Sequence, residues 1–189
     1  MTSFKEVQPQ NPLDQGDLFV DIYFPAIDNN VNAVVITPTC DFEQGKVHFV
    51  KFIASVSLDF VLKIIADGLG IDSSLFNSGT ALTNKQMENI IRAVRRNTNG
   101  DFLPRYYLIT KYQDTFPASY LDFQQTFVYP TRQVVEDLMP KRVARINSPW
   151  KEQITSRYSG YSIRVGTPDY SEEELKDLIS LGGLTFQTI

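Results

Sequence analysis

The sequence predicts an α+β domain, a small β-barrel elaborated with several helices, and three observations carry that prediction. Residues 16–57 set aromatic and β-branched side chains among polar ones in three runs separated by short turns. Helical spacing takes over at 58–69 and 83–97, and strand patterning returns from Phe102. No repeat, low-complexity tract or long linker divides the 189 residues, so they are expected to form a single domain over 1–189.

The first strand is expected over 17–24 and ends at Pro25, whose missing N–H cannot continue a ladder. Asp28-Asn29-Asn30 supplies short polar side chains suited to a turn. Residues 31–37 are apolar on both faces, which suggests a central strand, and Glu43-Gln44-Gly45 then turns the chain into a third strand over 46–57. Consecutive strands with short connections make a meander.

A helix follows over 58–69 and stops near Gly68 or Gly70, and 70–82 reads as a surface loop. The best-formed helix spans 83–97, with Thr83 or Asn84 as cap, Met87, Ile90, Ile91 and Val94 on one face, and Lys85, Arg92, Arg95 and Arg96 on the other. Later barrel strands are expected within 102–146, at 106–109, 120–128 and 142–146, with a helix over 130–139 stopped by Pro140. Ser148-Pro149 predicts a helix start, with Trp150, Ile154, Tyr158 and Tyr161 at helical spacing over 148–163. A capping box, Ser171-Glu172-Glu173-Glu174, opens a last helix over 171–181.

With 42% hydrophobic residues and one cysteine, the chain is expected to fold without disulfide or metal. Its polar first 15 residues do not resemble a secretory signal, and no apolar run approaches the ~20 residues of a membrane span. A cytoplasmic protein without a membrane partner is therefore expected. The net charge of −4 conceals an asymmetry: −6 over 1–80, +6 over 81–166 and −4 over 167–189. Pairing of the acidic N-terminal half with the basic centre is the preferred account; a nucleic-acid partner bound through that centre is the alternative.

Candidate chemistry gathers where the second strand ends, at Thr37-Pro38-Thr39-Cys40-Asp41. If 41 and 46 close a hairpin, Thr39 shares a face with His48, the only histidine and the side chain suited to proton transfer at neutral pH. Thr39, Asp41 and His48 are thus the candidate catalytic residues. A carboxylate next to a thiol disfavours a reactive thiolate, so Cys40 reads as a small buried thiol or a binding residue. The other candidate binding residues are Arg92, Arg95 and Arg96, and Trp150, Arg157, Tyr158, Tyr161 and Arg164 on the late helix, for which core packing is the competing account. Asp14, Asp17 and Asp21 read as a solvated strand edge. Ligand count argues against a metal site, and Gly68-Leu69-Gly70 lacks the context of a nucleotide loop, so no cofactor is expected.

The run Gln15-Gly16-Asp17-Leu18-Phe19, followed by Ala33-Val34-Val35-Ile36-Thr37, resembles the opening of the SH3-like barrels of the MazF/PemK toxin type. That resemblance implies RNA cleavage, although Asn32-Ala33 stands where those proteins carry arginine and proline. A more extended resemblance links Gly16, Asp17, Thr39-Cys40-Asp41, Phe102-Leu103-Pro104 and 148–168 to an uncharacterised group of bacterial and phage-borne proteins, and implies a setting in mobile elements or antiviral defence. The expected function is a non-catalytic protein-binding or regulatory component; the alternative is a divergent MazF/PemK-like endoribonuclease or nucleic-acid-binding protein.

Overall fold

A computed structural model describes residues 2–78 and 81–163. The expected helix over 171–181 and Arg164 lie outside the described residues. Within them the chain builds one antiparallel sheet in the order β1-β7-β2-β3-β4-β6-β5. The strands are β1 (Phe4–Lys5), β2 (Asp17–Phe24), β3 (Asn29–Val35), β4 (Phe49–Ser57), β5 (Tyr106–Ile109), β6 (Ser119–Pro130) and β7 (Arg142–Ile146). Helices accompany it, so the α+β class holds. The expected barrel is not seen: the sheet is open, with β1 and β5 at its edges. Strand patterning carries no information about closure, because an open sheet covered on both faces needs the same alternation as a closed one.

The meander is present as β2, β3 and β4, and β3 is the middle strand of the seven. Phe19, Phe24, Val35, Phe52 and Phe127 belong to one core cluster, completed by Val134, Leu138 and Leu13. Leu18, Val34, Ile53, Tyr107 and Ile146 belong to a second, packed against Ile154 of α6 (Trp150–Ser162). Phe19, Ile22 and Phe24 fall in the same cluster although strict alternation would separate Phe19 from the other two. A β-bulge between Phe19 and Ile22 resolves the conflict, with Asp21 at φ +53°. Asn32 Oδ1 accepts from Asp21 N–H at 3.1 Å and Asn30 Nδ2 donates to Asp21 Oδ1 at 2.8 Å, so Asn30, expected to mark a turn, and Asn32, from the expected strand, hold the bulge.

Three further elements differ from expectation. Residues 39–43 form a short helix, α1 (Thr39–Glu43), rather than the end of a strand. Gly45, at φ +63°, terminates it: Gly45 N–H donates to Phe42 O and Lys46 N–H to Asp41 O, a Schellman closure. The expected 41/46 hairpin is therefore absent and β4 starts later, at Phe49. The 70–82 loop contains a helical turn, α3 (Leu75–Ser78). Downstream of β6, α5 (Thr131–Gln133) passes into a π-helical turn (Val134–Leu138) and a 3-10 turn (Met139–Lys141) that accommodates Pro140.

Two helices cover the β5–β6 end of the sheet. In α2 (Leu58–Gly68) and α4 (Asn84–Asn99), Val61, Ile65 and Ala93 bury against Tyr106 and Tyr120. The cap of α4 is Thr83, in a full capping box with Gln86. The expected cap of α6 is not formed by Ser148, whose hydroxyl donates to Glu152 Oε1 at 2.7 Å.

Asp17 is fully buried, which overturns its assignment to a solvated edge: β2 lies inside the sheet, between β7 and β3. Its carboxylate accepts from Arg145 Nε at 2.5 Å and Nη2 at 3.0 Å, and from Arg142 Nη1 at 3.0 Å. Both guanidiniums also donate to main-chain carbonyls, Arg142 to those of Gln8 and Asn11 and Arg145 to that of Pro12. Asp17→Asn leaves the buried Arg142 without a counter-charge and Arg145 with Asp14 alone, so unfolding free energy is expected to fall by about 3 kcal/mol, read as a lower urea midpoint at unchanged m.

Candidate functional site

Gly16, at φ +85°, brings the β2 entry against α6: a Cβ there would meet Lys151 Cβ at 3.0 Å and Ile146 O at 3.1 Å. This close approach draws together the residues that stood out in the sequence. Gln15 Nε2 donates to Thr155 Oγ1 at 2.6 Å, and Thr39 N–H donates to Gln15 Oε1 at 3.4 Å. Lys151 Nζ donates to Thr39 Oγ1 at 3.0 Å and lies 3.4 Å from Asp14 Oδ2, which Arg145 Nη1 approaches to 3.3 Å. The Gly-Asp opening, the Thr-x-Cys-Asp segment and the late helix thus meet at one junction, beside a cavity of about 370 Å³ lined by Leu13, Asp14, Thr39, Phe42 and Arg145.

Burial alone pushes the Asp14 carboxyl up, but the Thr39 hydroxyl, the Gln15 N–H and the Arg145 and Lys151 charges together hold it below the ordinary carboxylate value. A carboxylate held ionised in this way is a poor base for a threonine hydroxyl. Thr39 thus links Lys151 and Asp14.

Asp41 is half-buried on α1 and accepts a weak contact from Cys40 Sγ at 3.7 Å. Cys40 itself is exposed, because α1 turns it outward, and not the buried thiol of the strand-end reading. His48 is also exposed, just before β4, and its backbone carbonyl accepts from Thr131 N–H at 2.9 Å. Among the described residues no hydrogen bond joins the His48 ring to Thr39 or Asp41. The parity that would have paired Thr39 with His48 required the hairpin that α1 replaces. Nor does any group of three or more His, Cys, Asp and Glu side chains among the described residues approach closely enough to hold a metal ion.

The expected pairing of acidic and basic segments is realised in part, through Asp14 and Asp17 with Arg142, Arg145 and Lys151, and Asp21 with Lys141. Arg92, Arg95 and Arg96 remain exposed and form no ion pair among the described residues. They do not act as one patch: Arg92 and Arg96 line a cavity of about 230 Å³ with Phe102, whereas Arg95 lines another with Trp150.

On α6, Trp150, Tyr158 and Tyr161 pack against the second core cluster. Lys51 Nζ donates to Tyr158 Oη at 2.6 Å, and Gln124 Nε2 to Tyr161 Oη at 2.6 Å. Arg157 donates to the carbonyls of Thr98 and Tyr106, both at 3.3 Å, and its guanidinium lies 5.0 Å from the Tyr107 ring centroid. Burial pulls Arg157 below its ordinary value, with Tyr107 acting in the opposite sense. These contacts dock α6 on the sheet. Two residues passed over as candidates, Asp14 and Lys151, turn out to be central; their positions 137 apart in sequence gave no local signal.

Compared with protein-family models, with curated proteins and with solved structures, the chain matches none of them.

Because the Asp14 carboxyl is depressed in the folded state, its contribution to stability is present above the unfolded-state carboxyl value and lost as pH falls through the folded one. Asp14→Asn is therefore expected to unfold at lower urea than the parent at pH 7, and the difference is expected to shrink to nothing as the pH is taken down toward ~2, below the ordinary carboxyl range.

Proposed function

We propose that the chain is a non-catalytic protein-binding or regulatory component that engages an acidic partner surface through α4. The observation that carries this reading is the contrast between polar groups that are used and those that are free. The motif residues at the β2–α1–α6 junction spend their charges on one another, whereas α4 exposes Met87 and Ile91 four residues apart beside Arg92 and Arg96, which have no acidic partner among the described residues. Apolar anchors flanked by arginine suit a protein interface, where arginine and methionine are enriched. The resemblance of the motifs to bacterial and phage-borne proteins makes a defence or mobile-element system the setting in which to seek the partner.

The endoribonuclease alternative draws less support. It needs an acid–base pair at a scissile phosphate, and His48 stands apart from Thr39 and Asp41. Among the described residues no helix is long and apolar enough to cross a membrane.

Met87→Asp combined with Ile91→Asp is expected to abolish capture of a partner that the parent protein retains from extracts of the native host, with the far-UV spectrum unchanged because both side chains are exposed. The partner is then to be purified and binding to the parent reproduced with the two pure proteins; equal retention by parent and variant rejects α4 as the interface. Incubated with total RNA, with and without EDTA, the parent protein is expected to leave it intact; cleavage that disappears in His48→Ala would transfer the conclusion to the nuclease reading.

A further inference from the structure

The largest cavity described, about 610 Å³, lies between α4, β5 and α6, away from the motif junction, and belongs to the size range of small-molecule sites. Its lining includes Arg95, Asn99, Tyr107, Thr110, Trp150 and Gln153, and no carboxylate among the described residues. Tyr107 is committed, donating its hydroxyl to Gln153 Oε1 at 2.8 Å, and Thr110 Oγ1 donates to Thr2 O at 3.3 Å. By contrast the Arg95 guanidinium, the Trp150 indole N–H and the Gln153 amide NH₂ have no hydrogen-bond acceptor among the described residues. Uncommitted donors, one of them a permanent cation, with no acid beside them among the described residues, favour an anion in this cavity. Trp150, partly buried against the second core cluster, contributes an aromatic side chain to the same lining as Arg95.

From this geometry we infer that the cavity binds a nucleoside monophosphate, with the phosphate on Arg95 and the base against Trp150. Guanidinium–phosphate hydrogen bonding and base stacking on an aromatic side chain are the two interactions that such a lining provides. An extended peptide fits less well, because strand addition to the outer edge of β5 is obstructed. The Tyr106 carbonyl there already accepts from Asn97 Nδ2 at 3.2 Å and from Arg157 Nη2 at 3.3 Å. Such a ligand would be a regulatory input to the docking function or independent of it; the site stands on its own observations and does not rest on the α4 interface.

The single tryptophan of the chain makes the test specific, since fluorescence excited at the indole edge reports Trp150 alone. The full chain is titrated with AMP, GMP, CMP and UMP, with inorganic phosphate and with a short single-stranded oligonucleotide. Saturable quenching by at least one nucleoside monophosphate is expected, weakened about tenfold or more by Arg95→Glu and unchanged by Lys85→Glu, both exposed positions that leave the core intact. Absence of quenching up to about 10 mM nucleotide, which corresponds to less binding energy than about 3 kcal/mol, overturns the inference. So does equal affinity of Arg95→Glu and the parent, inorganic phosphate binding as tightly as the nucleotides, or the oligonucleotide alone being bound.

Discussion

The buried carboxylate of Asp17 is the constraint on which the rest of the molecule depends. A charge removed from water must be paired and hydrogen-bonded, and Asp17 obtains this only if Arg142 and Arg145 arrive together from β7. Those guanidiniums in turn need further acceptors, which the carbonyls of Gln8, Asn11 and Pro12 supply. One carboxylate therefore orders an N-terminal segment without regular structure, seats β7 beside β2 and positions Asp14. Through Asp14 and Lys151 the same network reaches α1 and α6.

That network also determines what the motif residues do. Buried ion pairs add less net stability than apolar packing of the same volume, but they are intolerant of alternatives, since any other arrangement strands a charge. Thr39, Lys151 and Asp14 are bound to one another. The junction is thus a device for specifying the position of α6 against the sheet. Arginines without an ion pair among the described residues lie elsewhere, on the exposed face of α4 and in the cavity between α4 and α6.

Asn97 shows how the α4 end is held. Its side-chain amide is buried and donates to the carbonyls of Phe102, Leu103 and Tyr106, joining the end of α4 to the start of β5. Asp122 does the same for the irregular part of β6, where it accepts both nitrogens of Arg105, at 2.6 and 2.5 Å, and the Gln124 N–H. Buried polar side chains at strand irregularities satisfy the backbone groups that a broken ladder leaves over. The same logic applies at Asp21, held by Asn30 and Asn32.

Much of the fold was legible because it rests on local periodicity and punctuation. The strand at Asp17–Phe24, the helices at Leu58–Gly68 and Asn84–Asn99, and the strand after Pro140 follow from side-chain periodicity, the Thr83 cap and breakers that act within a few residues. What escaped was either too short to show a period, as in the five residues of α1, or set by partners distant along the chain. Asp17 looked like a surface acid because its arginines lie more than 120 positions away. The sequence by itself determined where the longer strands and helices form and that the class is α+β. Only the tertiary structure decided that the sheet stays open, that Cys40 faces water, that Asp17 is buried and that Arg95 and Trp150 share a cavity, because these depend on contacts between segments that neither periodicity nor capping encodes.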